Sequence, residues 1–410
     1  MKIAYIVNQF PPNITAGLGR YVELITPYLA RGHELTVHTL NDGTLPVDER
    51  VDGVTVHRPR LRALPAGRLN RTRRAEFLLL ALRVVAGNVW HVLRLRRGER
   101  PDLVAVHDST NFLSALLCHY LLRLPVVFHV HTTEYGVAAQ RSISDPLNVF
   151  AALERWLARI SRRVVVATPE VREQLLAAGW RRTPIDVVPL GGTYERVLAA
   201  PGFDRDALRK GAAALRERLG LAKGDRVLLF VGRIERQKGV YQLLEAMRAA
   251  ADAVPGLRLV IVGEGDEAGV RRIVDSTGLR GRVLTSGRFV EGRELLEFYE
   301  LADACVFPSL FEPFGLVATE AMALGRATVL GDGFSRIFLG DDPARPAVRF
   351  VRADEPADIA RGVIEVMSDA RLRRALGERG ERFVRESLSW SRAAAETVEA
   401  YRAALKPGSP

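Results

Sequence analysis

Apolar residues enter this chain in short runs rich in Val, Ile and Leu, separated by longer stretches in which they recur every three or four positions. The runs "KIAYIV", "ELTVHTL", "LVAVH", "VVFHVH", "RVVVAT" and "IDVVPL" mark the first half, and "RVLLFVG", "LRLVIVGEG", "RVLTSG", "ACVFPS" and "RATVLGD" the second. A strand covered by helices on both faces has no polar side. Continuous apolar runs alternating with helical periodicity therefore predict parallel sheets in α/β layers. Two such series predict two doubly wound, Rossmann-like domains. Their boundary is expected within 190–225, where "LGGTYERVLAAPGF" carries turn residues and a polar helix over 204–219 precedes the strand at Arg226. The final segment, "LSWSRAAAETVEAYRAAL", reads as an amphipathic helix anchored by Trp390, Val398 and Tyr401.

Composition agrees with this picture. At 410 residues the chain exceeds one ordinary core, and about 150 residues per domain allows two or three. With 48% hydrophobic and 26% charged residues it reads as soluble and globular, neither disordered nor fibrous. The net charge of +11 suits an anionic partner. Only Lys2, Lys210, Lys223, Lys238 and Lys406 are lysines against 54 arginines. Such a bias beside abundant Ala points to background composition, and no aromatic-basic module supports nucleic acid as a partner. Cys118 and Cys305 sit in apolar runs and make no disulfide framework, so a cytoplasmic setting is expected. The N-terminus enters a strand without a charged leader, and the apolar helix over 77–95 is interrupted by Arg83, Asn88, His91 and Arg94. Neither a signal peptide nor a membrane span is expected.

In open α/β sheets ligands bind outside the carboxyl ends of strands, and the chemically suggestive residues fall there. After the first strand Gly17 and Gly19 open a helix, whose N-terminal N–H groups can hold an anion. The G-x-G-x-x-G dinucleotide spacing is absent. After the fourth run come His129 and His131, on one strand face. They read as a metal pair or, since no Cys or carboxylate cluster completes a site, as a polar contact by His131 in a cleft. In the second half Arg233 follows a strand and Lys238 precedes a helix beside Gly239. Two cations at a helix start suit a diphosphate, with Glu235, Arg236 and Gln237 between them reading as plain surface. Finally "LFEPFGLVATEAMALG" joins a strand to a helix, with Glu312 before the helix and Glu320 about one turn into it. Both carboxylates can reach one extended ligand while the N–H groups of Gly315, Leu316 and Val317 take phosphate. They could instead serve as a hydrolytic acid and base, a reading that calls for no phosphate grip.

The ordered set "GR" at 232–233, "KG" at 238–239 and "EPFGLVATE" resembles the retaining glycosyltransferases of family 4, which have the two-domain GT-B fold. Further matching stretches are "AGLGRY", "RGHELTV", "HTTEYG", "VGEGD" and "FYELADACVFPS", so the resemblance spans essentially the whole chain. It implies an N-terminal acceptor-binding domain over 1–190, with the helix 388–406 packing back on it. A C-terminal nucleotide-sugar domain would cover 191–387, and the two domains would face each other across a cleft. It further implies a metal-independent, hexosyltransferase-like enzyme without a cofactor, whose donor is a UDP-, GDP- or ADP-sugar. Arg233 and Lys238 would stabilise the leaving diphosphate, Glu320 would bind the ribose, and Glu312 and His131 would sit by the donor sugar. Gly17 and Gly19 would cover the phosphates, Arg288 would lie near the base, and Phe314, Gly315, Leu316 and Val317 would line the donor site.

Three departures from the family pattern stand out. Ala16 precedes Gly17 where two glycines are usual, "PLGGT" replaces "PNGVD" at 189–193, and "GDGFSRIF" replaces a Gly-Gly-x-Pro-Glu run near the expected donor sugar. Alternatives on the same fold are a sugar-nucleotide epimerase or hydrolase using His131, Glu134 and Glu312, and a non-catalytic nucleotide-sugar-binding protein. The acceptor is left open as glycan, lipid or small natural product. Residues 58–74, "RPRLRALPAGRLNRTRR", together with the apolar-basic helix 75–97, could touch an anionic membrane, although a solvated arginine-rich loop is the favoured expectation.

Overall fold

A computed structural model describes residues 1–14, 17–41, 43–60, 74–131 and 149–406. Ala16, Glu134 and residues 61–73 of the arginine-rich stretch lie outside the described residues. The chain forms two compact units, Met1–Leu190 with Trp390–Pro410, and Gly191–Ser389.

The first unit is built on strands β1 (Lys2–Ile6), β2 (Glu34–His38), β3 (Asp48–Val51), β4 (Val54–His57), β5 (Leu103–His107), β6 (Val126–Val130), β7 (Arg163–Val166) and β8 (Ile185–Val187). They form one sheet in the order β3-β4-β2-β1-β5-β6-β7-β8. Every pairing is parallel except β3 with β4. That antiparallel edge corrects the expectation of a purely parallel sheet. β3 is too polar to register as an apolar run, and the pair turns through Asp52 and Gly53, both at positive φ (49° and 83°), as a two-residue hairpin requires. β5 and β6 are buried at every position, the signature of strands covered on both faces. Each Val or Leu so buried contributes roughly 1.5–3 kcal/mol relative to exposure.

The C-terminal helix Trp390–Leu405 belongs to this unit and buries Trp390 and Tyr401 completely, with the Trp390 ring 5.9 Å from that of Tyr21. On the long helix Arg74–Arg97, Leu82, Val85, Val89 and Leu93 are exposed. Among the described residues no helix is long and apolar enough to cross a membrane.

The second unit carries β9 (Arg226–Val231), β10 (Leu257–Val262), β11 (Val283–Thr285), β12 (Ala304–Phe307), β13 (Ala327–Gly331) and β14 (Arg349–Val351). The order is β11-β10-β9-β12-β13-β14, parallel throughout. Only β14 escapes the sequence pattern, its single run "RFV" opening on Arg349 and being followed by Arg352. In each unit the chain winds outward in one direction and then in the other, reversing between β1 and β5 and between β9 and β12. Loops that diverge at such a reversal leave a crevice at the carboxyl ends of the strands.

Candidate functional site

In the second unit the reversal brings together the loops after β9 and β12. The loop after β9 passes Gly232 and Arg233, turns through a short 3-10 segment, Arg236–Lys238, and enters the helix Val240–Ala253 at Gly239. Gly239 stands at φ 69°, and a Cβ there would collide with the carbonyl oxygen of Pro308 in the loop after β12. The two loops touch backbone to backbone, which only glycine permits. They are tied further by the Leu310 N–H donating to the Gln237 carbonyl at 2.9 Å and by Gln237 Nε2 donating to the Phe311 carbonyl at 3.2 Å. Gln237 is therefore a structural tie between loops and not the plain surface its sequence context suggests.

This contact places Lys238 against Glu312. The Lys238 ammonium donates to Glu312 Oε2 at 2.5 Å, and the two side chains are 20% and 13% exposed. Arg233 pairs separately with Glu235 at 2.8 Å and is 66% exposed. Glu235, too, is thus more than plain surface. Each of the two cations is thus held in its own ion pair.

The loop after β12 ends at Gly315, at φ 93°, where a Cβ would strike the Phe334 ring. The helix Leu316–Ala323 starts there, and among the described residues no side chain caps it. Leu316 and Val317 are half-buried at that start. Their N–H groups belong to the first turn, which has no intrahelical acceptors, and they carry the positive end of the helix dipole. Phe314 is buried against Phe338, with ring centroids 5.4 Å apart, and supports the loop from below.

Glu320 lies on the same helix and is only 8% exposed. The hydroxyl of Tyr299, on the helix Gly292–Leu301, donates to its Oε2 at 2.7 Å. Burial, and then the Glu320 carboxylate, push the Tyr299 hydroxyl well above the usual tyrosine range, so it remains a donor. Tyr299 is absent from the residues singled out by sequence. Its signal was available in "FYELADACVFPS", where an apolar-faced helix carries one hydroxyl toward the next loop. If Glu320 holds a ligand, Tyr299→Phe is expected to weaken its binding about tenfold, ~1.4 kcal/mol, through loss of a charge-assisted bond that orients Glu320. Calorimetric titration beside the wild type checks this, and an unchanged affinity contradicts it.

Arg288, in the loop after β11, gives both Glu294 carboxylate oxygens a bond of 2.6 Å and is 56% exposed. Both bonds come from the one nitrogen Nη2, leaving the planar face of the guanidinium for any stacking.

In the first unit the helix Gly17–Leu29 follows β1. Gly17 is exposed and has no described neighbour within 4 Å of a Cβ position. Gly19 instead packs against Gln9 and Ile14, where a Cβ would come within 3.1 Å of both side chains. Gly17 is the open position of the pair.

His131 follows β6, and the sheet adds a third histidine that the sequence reading did not include. Parallel register sets His107 beside His129, and His107 Nδ1 lies 3.0 Å from His131 Nε2. The signal was the His ending "LVAVH", legible only once β5 and β6 are known to be neighbours. Ring nitrogens of the three come within 4.8 Å of one another. Yet the rings are nearly parallel, at 26°, 22° and 15° to each other. His107 Nδ1 and His131 Nε2 face each other at hydrogen-bond distance, so in this structure the cluster is a hydrogen-bonded group. On its inner side His129 Nε2 lies 2.8 Å from the Tyr401 hydroxyl, which donates to Tyr5 at 2.8 Å. Burial pushes His131 down to about 4 and His107 and His129 well below the usual histidine range, so all three are neutral near pH 7.

The comparisons with known proteins settle the family. Residues 212–383 match the family described as glycosyl transferases group 1, and residues 16–191 match the glycosyl transferase 4-like domain. An uncharacterized glycosyltransferase of Methanocaldococcus jannaschii is 31% identical over 411 residues, covering 99% of both chains. The chain belongs to glycosyltransferase family 4. A glycogen synthase of Mycobacterium tuberculosis is 30% identical over 99% of this chain and 95% of its own. Among solved structures, the catalytic domain of starch synthase IV from Arabidopsis thaliana, bound to ADP and acarbose, aligns over 98% of this chain and 99% of that one. Its TM-score is 0.75 at 17% identity, a likeness of fold. This glycosyltransferase therefore has the GT-B fold.

Proposed function

We propose that this glycosyltransferase moves a sugar from a nucleotide-diphosphate donor to an acceptor hydroxyl with retention at the anomeric carbon and without a metal. The second unit binds the donor and the first unit the acceptor. One observation carries the reading. The Lys238–Glu312 pair, the uncapped helix start at Gly315–Val317, and Glu320 braced by Tyr299 all stand on loops and helices at the reversal point of one sheet. A cation, N–H donors and a carboxylate offer a diphosphate and a ribose diol complementary partners.

In this reading the diphosphate takes Lys238 from Glu312 and is completed by Arg233 and the helix N–H groups. Glu320 accepts from the ribose hydroxyls, Arg288 lies by the base, and Gly17 with Gly19 covers the phosphates. Glu312, released from Lys238, accepts from the donor sugar, and His131 is assigned to that sugar near the reacting carbon. The bond from the anomeric carbon to the diphosphate oxygen breaks while the acceptor oxygen bonds on the same face. The acceptor proton passes to the departing phosphate oxygen. Negative charge grows on that phosphate in the transition state, where Lys238 and Arg233 act most strongly.

Support for the donor class comes from the starch synthase neighbour, solved with ADP. Calorimetric titration with UDP-, GDP- and ADP-sugars and their free diphosphates, in chelator, tests the reading. Micromolar binding of one nucleotide, weakened by Glu320→Ala and by Lys238→Ala, is expected. Failure of every nucleotide to bind overturns the donor-site assignment.

A further inference from the structure

The histidine stack has a feature that binding a sugar does not require. His107 is wholly buried, and its Nε2 has no hydrogen-bond partner among the described residues. Among the described residues its ring makes one bond, at 3.0 Å between its Nδ1 and His131 Nε2. One of these two nitrogens must carry the proton.

Placing it on His131 would force the proton of neutral His107 onto Nε2, creating a buried N–H without an acceptor. Placing it on His107 Nδ1 leaves only a lone pair unmatched at Nε2. Buried orphan N–H groups are rarer and costlier than under-used acceptors. His107 Nδ1–H therefore donates, His131 Nε2 accepts, and the proton of neutral His131 resides on Nδ1. His129 is set the other way. Tyr401 spends its hydroxyl proton on Tyr5, so His129 must donate to Tyr401 from Nε2.

We propose that His107 is a positioning residue for glycosyl transfer, which holds His131 as the neutral tautomer with its proton on Nδ1, a hydrogen-bond donor and not a base. This rests on the assignment of His131 to the donor sugar. A second proton on His131 could enter only at Nε2, where it would displace the His107 donor and drive that residue to the orphaned tautomer. Burial acts in the same direction, holding His131 near 4. Among the described residues, His131 packs against Tyr21 on the helix Gly17–Leu29, His107 on β5 and His129 on β6, and His129 in turn against Tyr5 on β1 and Tyr401 on the C-terminal helix. The tyrosines are held neutral by burial. Asp108, next to His107, turns its carboxylate to Thr110 N and the Ser109 hydroxyl. No counter-charge among these groups favours an imidazolium. A fixed N–H donor can hold a sugar or phosphate oxygen without taking the acceptor's proton, which leaves that proton to the departing diphosphate.

The test is long-range proton–nitrogen NMR of the 15N-histidine-labelled full chain from pH 5 to 8, with His131→Gln identifying the signals. Wild-type His131 is expected to show a protonated Nδ1 and an unprotonated Nε2 with no titration across the range. His107→Leu removes the donor, and His131 should then mix its two neutral tautomers, while burial still holds it below the ordinary value of ~6.5. His107→Asn, whose amide nitrogen stands where Nδ1 stood, should restore the wild-type pattern, an outcome that a merely space-filling role does not predict. An Nε2–H tautomer in the wild type, or a His131 unmoved by His107→Leu in a variant that melts as a folded protein, overturns the proposal. If His107→Leu does not fold, the wild-type and His107→Asn spectra still decide the tautomer. Adding UDP-glucose, GDP-mannose or ADP-glucose separates the two claims. A sugar nucleotide that binds yet leaves the His131 signals in place removes the donor-sugar assignment, and the positioning role with it, while the tautomer stands.

Discussion

Replacing Lys238 by Ala is expected to lower kcat by 10²- to 10³-fold, about 3 kcal/mol of barrier, with a much smaller loss of stability. The size follows from what is removed, a preorganised cation aimed at charge that develops in the transition state. That cation is matched by Glu312 at 2.5 Å, so under the proposed function the diphosphate must outcompete a carboxylate already in place. A diphosphate carries more charge than one carboxylate, and the helix start adds N–H donors that Glu312 does not use. The exchange therefore favours the ligand. Losing Lys238 also leaves Glu312 unpaired at 13% exposure, a repulsive neighbour for the incoming phosphates. Glu312→Gln separates the two effects, because it keeps the steric outline and removes the negative charge while Lys238 remains. Arg233→Ala gives a useful contrast. Its ion pair with Glu235 is exposed and contributes at most about 1 kcal/mol to stability, so any activity loss there belongs to the reaction. Initial rates with a saturating donor, read beside melting curves, decide the matter. A Lys238→Ala enzyme within threefold of wild-type kcat removes the electrostatic role.

Acidification from pH 7 to 5 is expected to destabilise the first unit selectively, by several kcal/mol. All eight histidines lie within residues 33–131, and none within 191–389. His38, His91, His107 and His129 are at most 2% exposed. Burial holds His91 down near 3 and the other three well below the usual range. The sign follows from which state takes up protons. Unfolded histidines bind them as pH falls through ~6.5, while the folded ones refuse until far lower values, so stability is full above ~6.5 and declines as pH drops toward the folded pKa. The decline approaches ~1.4 kcal/mol per pH unit for each such histidine, a large fraction of the 5–15 kcal/mol typical of a domain. Among the described residues neither ring nitrogen of His91 has a partner, so nothing there opposes the effect of burial. In the second unit the sensitive groups are carboxylates such as Asp225 and Asp358, lowered by backbone and arginine bonds despite partial desolvation. Their stabilisation is lost only below ~3.8, outside this window. Hydrogen exchange at pH 7 and 5 should show β5 and β6 losing protection while β9 and β10 keep theirs. Equal loss in both units contradicts the histidine argument.

How far the chain could be read without coordinates differs between fold and site. The continuous apolar runs of β1, β5 and β9 determined parallel α/β layers by themselves, because a strand with no polar face can be stable only when covered on both sides. The antiparallel hairpin β3–β4 escaped because its residues alternate weakly and its Asp52-Gly53 turn sits in a polar stretch. Glu320 about one turn into a helix, and Gly315 at its start, followed from local periodicity and turn chemistry, which involve neighbours only a few residues away. Partnerships across the sheet did not. Lys238 meets Glu312 across 74 positions, Tyr299 reaches Glu320 across 21, and Tyr5 bonds to Tyr401 across 396. Nothing in either local pattern encodes the other partner. His129 and His131 announced themselves by spacing, whereas His107 joined them only because β5 lies beside β6 in register. Strand order and register are chosen by the collapse of whole layers, where the cost of exposing an apolar face outweighs any single polar contact. Residue identities and local geometry thus belong to the sequence, while which groups are paired, neutral or fixed in one tautomer is decided by the tertiary structure.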